Sequence, residues 1–417
     1  MRRRLSLVVA AALVSAVVAA GALAAGAART ADPGITARTI TLGGTFPLSG
    51  PASSYAPIPV GMKVYFSYVN ATRGKDGKRG VDGRQIVWKY LDDGYNPAQT
   101  VQQTRALVEQ DHVFALVGGL GTEPQQAVEQ YLNQNKVPQL FVSTGATEFG
   151  ADYEQYPWTI GWQPDYQAEG AIYGKYIAKN LPDKKIGIIY QNDSYGQDYI
   201  IGLKGGLGAK KSNIVSEQGF DVTAPSVAQQ VVALKAAKPD IVCIFGTPTP
   251  TIKTYATMKA VGFKPDTIFV NSVSATDTFM GLAVANSSAD EVNGSISVGY
   301  VKDPKNPKYA KDPAVIQYRA LMKKYAPKAD ASNGLYIYGM AKAYDTVQLL
   351  RQVGPNPTRA KLQAAWQHMN WVNPFLLPGV KVHTTPKSRY PVSQMKLLKY
   401  DNGLWQEVGN LVNGRGK

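Results

Sequence analysis

The stretch Val113-Phe-Ala-Leu-Val-Gly-Gly-Leu-Gly-Thr122 begins the part of the chain that decides the fold. Its first five residues are apolar, which is typical of a short strand buried on both faces. Thr122-Glu-Pro124 then indicates the start of a helix, with Thr122 as the N-cap and Pro124 in the first turn. A second apolar strand, Gln139-Leu-Phe-Val142, leads into the loop Ser143-Thr-Gly-Ala-Thr147. The pattern predicts two neighbouring strands that both end in loops of small and polar residues.

These two loops indicate a ligand-binding edge. In open α/β sheets, ligands bind beyond the carboxyl ends of the strands. Free amides and hydroxyl groups at the start of a helix suit an anionic group such as a carboxylate. The alternative is that both loops are ordinary tight connections between strand and helix, and this stretch by itself favours neither interpretation.

Strands and helices alternate along most of the chain, which predicts βαβ units and parallel sheets. The series starts again after residue 161, and this repetition indicates two lobes of similar construction in an α/β fold. Strands are predicted at 40–43, 85–91, 113–117, 139–142, 185–190, 241–245, 268–270 and 394–400. Helices are predicted at 60–70, 96–110, 168–179, 197–207, 227–237, 252–261, 314–325, 335–350 and 358–367.

Length and composition point to a two-domain globular protein. The chain has 417 residues, which exceeds one ordinary domain. The net charge is +15, but the basic residues are scattered, whereas nucleic-acid binding needs a concentrated basic face. We therefore expect no nucleic-acid partner. The single cysteine, Cys243, lies in the apolar run Ile241-Val-Cys-Ile-Phe245, so it is predicted to be buried and cannot form a disulfide within the chain.

The N-terminus is typical of a targeting segment. Arg2-Arg-Arg4 precedes an apolar run from residue 5 to residue 25, and small residues near residue 27 suit cleavage. Residues 1–27 are therefore predicted to be a cleaved signal peptide of an exported protein, periplasmic or on the outer face of the cell membrane. An uncleaved membrane anchor is the alternative, because the run is long enough to span a membrane. No cysteine follows the run, so a lipoprotein anchor is not predicted.

Short motifs occur in a characteristic order along nearly the whole chain after this segment. They are Phe46-Pro-Leu-Ser-Gly-Pro51, Asp92-Asp93, Asn96-Pro-Ala98, Leu116-Val-Gly118, Val137-Pro138, Tyr190-Gln-Asn-Asp-Ser-Tyr-Gly196, Pro239-Asp240, Ala260-Val-Gly262, Tyr344-Asp345 and Asp401-Asn-Gly403. Together they resemble the solute-binding proteins of ABC importers of the branched-chain amino acid type. The resemblance implies the type I periplasmic-binding fold, in which two Rossmann-like lobes with parallel sheets are joined by a hinge of three crossings and hold the ligand between them.

The resemblance also implies the lobe boundaries. Lobe one would comprise residues 35–159 and 302–385, and lobe two residues 160–301 and 386–411. It further implies a set of ligand contacts, in which Tyr55 covers the ligand, Thr122 grips a carboxylate and Tyr195 closes from lobe two. The positions carried over as ligand-binding are Tyr55, Gly121, Thr122, Ser143, Gly145, Ala146, Thr147, Trp162, Tyr195, Thr247 and Ser272. For Trp162, packing at the hinge is an equal alternative to stacking on the ligand.

One departure from the family pattern concerns the ligand. Amino-acid binders of this family carry an acidic residue after the strand that corresponds to 268–270, where it pairs with the α-ammonium group. This chain has Asn271-Ser-Val-Ser-Ala275 instead, and an unpaired buried ammonium would be costly. Either Asp277 turns inward to replace the acid, or it is a surface helix cap and the ligand is not an α-amino acid. We favour an amide, an aromatic acid or another small carboxylate.

No catalytic or cofactor motif accompanies this pattern. Gly119-Leu-Gly-Thr-Glu-Pro124 lacks the third glycine of a dinucleotide fingerprint, and the three histidines have no partner at metal-ligand spacing. We therefore expect no enzyme, no cofactor and no metal. The predicted function is a monomeric receptor that captures a small polar ligand and delivers it to the membrane permease of an ABC importer. The alternatives are a ligand-sensing module of a signalling system and an enzyme on a Rossmann-like scaffold.

Overall fold

The computed structural model describes residues 31–74 and 76–414, and the predicted signal peptide 1–27 lies outside the described residues. Two predominantly parallel sheets with helices packed against them confirm the predicted α/β fold class. In the described part of the chain, no helix has both the length and the apolar character needed to span a membrane.

The first sheet has five strands in the order β2-β1-β3-β4-β5, all parallel. Its strands are β1 Thr39–Phe46, β2 Gln85–Asp92, β3 Ala115–Val117, β4 Gln139–Val142 and β5 Thr159–Gly161. The strands β3 and β4 are neighbours, with Leu116 opposite Gln139, as their sequence predicts. Their small-residue loops therefore leave the sheet side by side at one edge.

The second sheet has seven strands in the order β14-β13-β10-β9-β8-β6-β7. Its strands are β6 Ile186–Gln191, β7 Ile214–Phe220, β8 Ile241–Phe245, β9 Thr267–Val270, β10 Ile296–Gly299, β13 Gln394–Asp401 and β14 Leu404–Asn413. The strands β6 to β10 pair in parallel, whereas β13 and β14 are antiparallel additions at one side. A separate two-stranded ribbon consists of β11 Asn370–Trp371 and β12 Val382–His383.

Helices cover the sheets and fill the C-terminal part of the chain. The α-helices are Pro57–Ala71, Pro97–Arg105, Thr122–Gln134, Glu148–Ala151, Tyr166–Asn180, Ser194–Leu207, Ala228–Ala237, Pro248–Ala260, Asp277–Asn286, Ala289–Val292, Pro313–Tyr325, Gly334–Val353 and Arg359–Ala365. Helix Gly334–Val353 packs against helix Pro57–Ala71 of the first lobe, although it follows the second sheet in sequence. The chain therefore crosses between the lobes after β10.

Backbone hydrogen bonds join chain segments that lie near the predicted lobe boundaries. Leu377 N donates to Tyr300 O over 2.8 Å, and Val392 N donates to Trp162 O over 3.2 Å. The strand β5 continues to Gly161 in the first sheet, two residues beyond the predicted lobe boundary. The complete lobe boundaries stay a prediction.

Candidate ligand-binding site

A cavity of about 150 Å³ lies between the two lobes. Its walls come from loops at the carboxyl ends of strands in both sheets, from the segment after β10 and from helix Gly334–Val353. A cavity of this size can hold a molecule about as large as benzene. The structure therefore provides room for a small ligand at the edge that the sequence indicates.

Seven of the eleven predicted ligand positions line this cavity. They are Tyr55, Gly121, Thr122, Ser143, Tyr195, Thr247 and Ser272. They come from both lobes, so a ligand in the cavity would contact both. Their contact with a ligand stays a prediction.

The loop after β3 depends on Gly121. Its φ of +105° suits glycine, and a Cβ there would meet the ring of Tyr95 at 2.6 Å. The helix begins at Thr122 with Gly121 as the N-cap, so the prediction that Thr122 is the N-cap was wrong. The Thr122 hydroxyl does not cap the helix. It forms a hydrogen bond of 2.7 Å with the Thr144 hydroxyl at the cavity wall.

Four predicted positions do not line the cavity. Gly145 and Ala146 face a separate space of about 10 Å³ beside Arg389, which is large enough for about one water molecule. Thr147 N donates to Asp198 Oδ2 over 2.7 Å, so Thr147 joins the lobes instead of lining the cavity. Trp162 is fully buried behind Tyr338. For Trp162, the structure therefore favours the packing alternative.

Tyr195 lies in the first turn of helix Ser194–Leu207, although the sequence predicted that this helix starts three residues later. The reason is Asp193, whose carboxylate accepts a hydrogen bond from Gly196 N over 3.2 Å and caps the helix. The hydroxyl of Tyr195 donates to Gly246 O over 3.1 Å, and its ring packs edge-on against Tyr166. Tyr195 therefore stabilises lobe two as well as lining the cavity.

Sequence reasoning missed several aromatic side chains in the wall. They are Tyr95, Tyr166, Tyr300 and Tyr338. Tyr95 had a usable signal, because it lies in the loop just after β2, which leaves the sheet at the same edge as the loop with Gly121. Tyr338 had none, because it lies within a helix whose docking position depends on the tertiary fold.

The polar groups of Asn271 and Ser272, which follow β9, are hydrogen-bonded within the protein. Asn271 Nδ2 donates to Gly246 O over 2.8 Å, so this side chain fixes the loop. Ser272 N and Ser272 Oγ donate to the Glu169 carboxylate over 2.7 and 2.6 Å. Glu169 is buried, and burial raises the pKa of its carboxyl. An acid therefore lies beside this loop, but it comes from helix Tyr166–Asn180 and is already hydrogen-bonded.

Asp277 is not a surface cap. It is 2% exposed, and Thr276 caps the helix instead. Burial raises the pKa of Asp277 to about 8, and the nearby Asp303 carboxyl contributes to this shift. Asp303 itself lines the cavity, whereas Asp277 lies behind it. The side chain has therefore turned inward without becoming part of the cavity wall.

The lobes also touch at the rim of the cavity. Tyr55 OH donates to Val273 O over 3.2 Å, and the Tyr55 ring meets the Phe279 ring edge-on at 6.1 Å between centroids. Among the described residues, no group of three or more His, Cys, Asp or Glu side chains could hold a metal ion. The cavity is thus lined by aromatic, aliphatic and hydroxyl-bearing side chains from both lobes, with Lys302 and Asp303 also in its wall.

Known proteins share this architecture. A branched chain amino acid ABC transporter from Thermus thermophilus with bound valine has a TM-score of 0.77 at 16% identity, covering 90% of this chain and 97% of that one. A fatty acid ABC transporter substrate-binding protein from Thermomonospora curvata has a TM-score of 0.76 at 20% identity, covering 92% and 95%. At these identities the likeness establishes the fold and leaves the ligand open.

Sequence similarity agrees with the structural likeness. The Leu/Ile/Val-binding protein homolog 3 of Brucella melitensis is 26% identical over 212 residues, which is 50% of this chain and 54% of that protein. The alignment thus spans about half the length of that relative. Residues 39–404 match the family model described as periplasmic binding protein. The chain therefore belongs to the periplasmic binding protein family.

Proposed function

We propose that this protein is the extracytoplasmic receptor of an ABC importer, which captures a small ligand between its lobes and presents it unchanged to a membrane permease. The observation that carries the proposal is the cavity of about 150 Å³ whose walls come from both lobes. Membership of the periplasmic binding protein family and the transport names of the structural neighbours support it.

Hinge closure would be the working motion. Opening requires two hydrogen bonds between the lobes to break, that of Tyr55 with Val273 and that of Thr147 with Asp198. A ligand shifts the protein towards the closed state only through its higher affinity for that state, and about 1.4 kcal/mol changes the ratio of closed to open tenfold. Enclosure strengthens the hydrogen bonds to the ligand because water is excluded.

The wall chemistry favours a small ligand with an apolar body and a carboxylate. Six tyrosine rings contribute to the wall, and the start of helix Thr122–Gln134 supplies the positive end of a helix dipole. The ligands in the names of the two structural neighbours, valine and a fatty acid, both carry a carboxylate. The chemistry that they share is the carboxylate, which we propose for this chain as well.

A thermal-shift screen tests the proposal directly. Amino acids, amides, aromatic acids and short fatty acids are added to the purified protein, and at least one should raise the melting temperature because binding stabilises the folded state. Mass spectrometry should then recover that compound unchanged after long incubation. Chemical conversion of the compound would contradict the receptor proposal, and so would a flat response across the whole screen.

Thr122→Val should weaken binding of the compound found in this screen by about tenfold, which corresponds to about 1.4 kcal/mol. The substitution keeps the shape of the side chain but removes the hydroxyl at the start of the helix. Isothermal titration measures the affinity. The matched control is Thr104→Val, because Thr104 is equally buried, its hydroxyl has no hydrogen-bond partner among the described residues and it does not line the cavity. Equal affinities of the two variants would contradict the role of Thr122.

A further inference from the structure

A lysine lies in the interior of lobe one, directly behind the cavity wall. Lys342 belongs to helix Gly334–Val353 and has no exposed surface. Its aliphatic stem passes so close to Gly118 that a Cβ there would come within 3.0 Å of Lys342 Cδ. Burying a lysine is costly unless its amine is compensated, so its partners are informative.

The amine is held by two side chains that line the cavity. Lys342 Nζ donates to Ser143 Oγ, and it donates to Tyr338 OH over 3.2 Å. It also lies 5.2 Å from the centroid of the Trp162 ring. No carboxylate in the described part of the chain forms an ion pair with it. Asp345, on the same helix, instead accepts hydrogen bonds from Trp162 Nε1 and Trp371 Nε1 over 2.7 and 2.8 Å.

A directional chain of hydrogen bonds extends from this amine along the wall. Tyr338 OH donates to Gln163 Oε1 over 2.6 Å, and Gln163 Nε2 donates to Tyr166 OH over 3.0 Å. Each donor points away from Lys342, and Tyr338, Gln163 and Tyr166 all line the cavity. Positive charge on Lys342 would polarise this chain and favour negative charge in the cavity.

The protonation state of Lys342 responds to what occupies the cavity. Burial lowers the pKa of the Lys342 amine well below its ordinary value, and the Asp345 carboxyl opposes this shift. A neutral amine offers two N–H donors, which matches the two hydroxyl acceptors present. An anion on the other side of Ser143 and Tyr338 would favour the charged form, because opposite charges attract strongly in a region without water.

We propose that Lys342 makes the cavity selective for a ligand with a carboxylate, since binding of the anion and protonation of this buried amine favour each other. The inference rests on the proposed receptor function and adds the determinant of its ligand class. Ser143 Oγ donates its hydrogen to Gly118 O over 2.6 Å, so Lys342 acts through Tyr338 and the hydrogen bonds that follow it, and it is a positioning residue.

Matched ligand pairs test the proposal. Benzoate with benzamide, hexanoate with hexanamide, and L-valine with L-valinamide are titrated into the wild-type protein and into Lys342→Met. At least one carboxylate should bind the wild-type protein about tenfold or more tightly than its amide, and Lys342→Met should reduce this preference to within about threefold. The control is Lys323→Met, which removes an exposed positive charge from helix Pro313–Tyr325 and should leave the preference unchanged.

The pH dependence of the wild-type protein provides a test that does not need a variant. Because the bound anion raises the pKa of Lys342, carboxylate affinity should be highest below the pKa of the empty protein. It should fall by up to about tenfold per pH unit as the pH rises towards the pKa of the complex. Affinity for any amide that binds should stay flat. In Lys342→Met the fall in carboxylate affinity should be shallower than in the wild-type protein, because only the Asp303 carboxyl in the wall and its neighbour Asp277 still titrate.

The outcomes separate the inference from the proposed function. If only amides or other neutral compounds bind, or if the preference for carboxylate survives in a folded Lys342→Met, the inference is wrong while the receptor function stands. If Lys342→Met does not fold, a carboxylate affinity that is flat at every pH at which the wild-type protein stays folded overturns it instead. If neither these pairs nor the wider screen yield any binder, the receptor function itself fails.

Discussion

Gly202→Ala should destabilise the protein by about 3 kcal/mol, because there is no room for a methyl group at this position. A Cβ at Gly202 would come within 2.1 Å of the backbone oxygen of Gln167. Gly202 belongs to helix Ser194–Leu207, which packs backbone to backbone against helix Tyr166–Asn180. Gly206 repeats the contact one turn later, where a Cβ would meet Ala171 O at 2.3 Å. A methyl group must therefore push two helices of lobe two apart.

Gly205→Ala is the matched control in the same helix. A Cβ at Gly205 would meet nothing within 4 Å, so the substitution changes helix propensity alone and should stabilise by up to about 1 kcal/mol. Urea denaturation followed by circular dichroism gives both free energies of unfolding. If the two variants had similar stability, the close packing of these helices would be contradicted.

Asp277→Asn should stabilise the protein in a manner that depends on pH. An unfolded aspartate has a pKa of about 3.9, and burial raises the pKa of Asp277 to about 8 in the folded protein. The folded state therefore holds the proton more tightly, so the wild-type protein loses stability as the pH rises from about 4 to about 8. Asparagine does not titrate, so the advantage of the variant should grow over this range by about 1.4 kcal/mol per pH unit and level off above it.

Unfolding measured at pH 5 and at pH 8.5 tests this prediction. Asp183→Asn is the control, because Asp183 is 92% exposed on its side chain and should give the same small effect at both pH values. A constant difference between Asp277→Asn and the wild-type protein at the two pH values would show that the buried Asp277 carboxyl does not titrate as described.

The sequence was most informative where function depends on loops at strand ends. The apolar runs that became β3 and β4 are short and continuous, and parallel strands place their carboxyl ends at one edge. The loop with Gly121 and Thr122 could therefore be placed at this edge from local pattern, and the family resemblance then assigned both residues to the ligand site. The family resemblance added Tyr55 and Tyr195, which the structure places in the cavity wall from opposite lobes.

Other features of the cavity depended on contacts between distant segments. Nothing near Lys342 in the sequence distinguishes it from a solvated lysine, because its burial results from helix Gly334–Val353 docking onto lobe one after the chain has crossed back. The sequence left open for the same reason whether Asp277 turns inward or caps a helix at the surface, since Asp303 approaches it from another part of the chain. Thr147 belongs to the loop that the family resemblance assigned to the ligand. Its backbone N–H instead donates a hydrogen bond to Asp198 of the other lobe.

By itself the sequence determined the α/β class, the neighbouring strands and the edge of the sheet at which their loops meet, because periodicity and turn chemistry are local properties. Only the tertiary structure decided which of the eleven predicted positions face the cavity and which ionisable groups lie behind its wall. The physical reason is that burial and pairing arise when segments far apart in sequence pack together, and local pattern contains no record of those contacts.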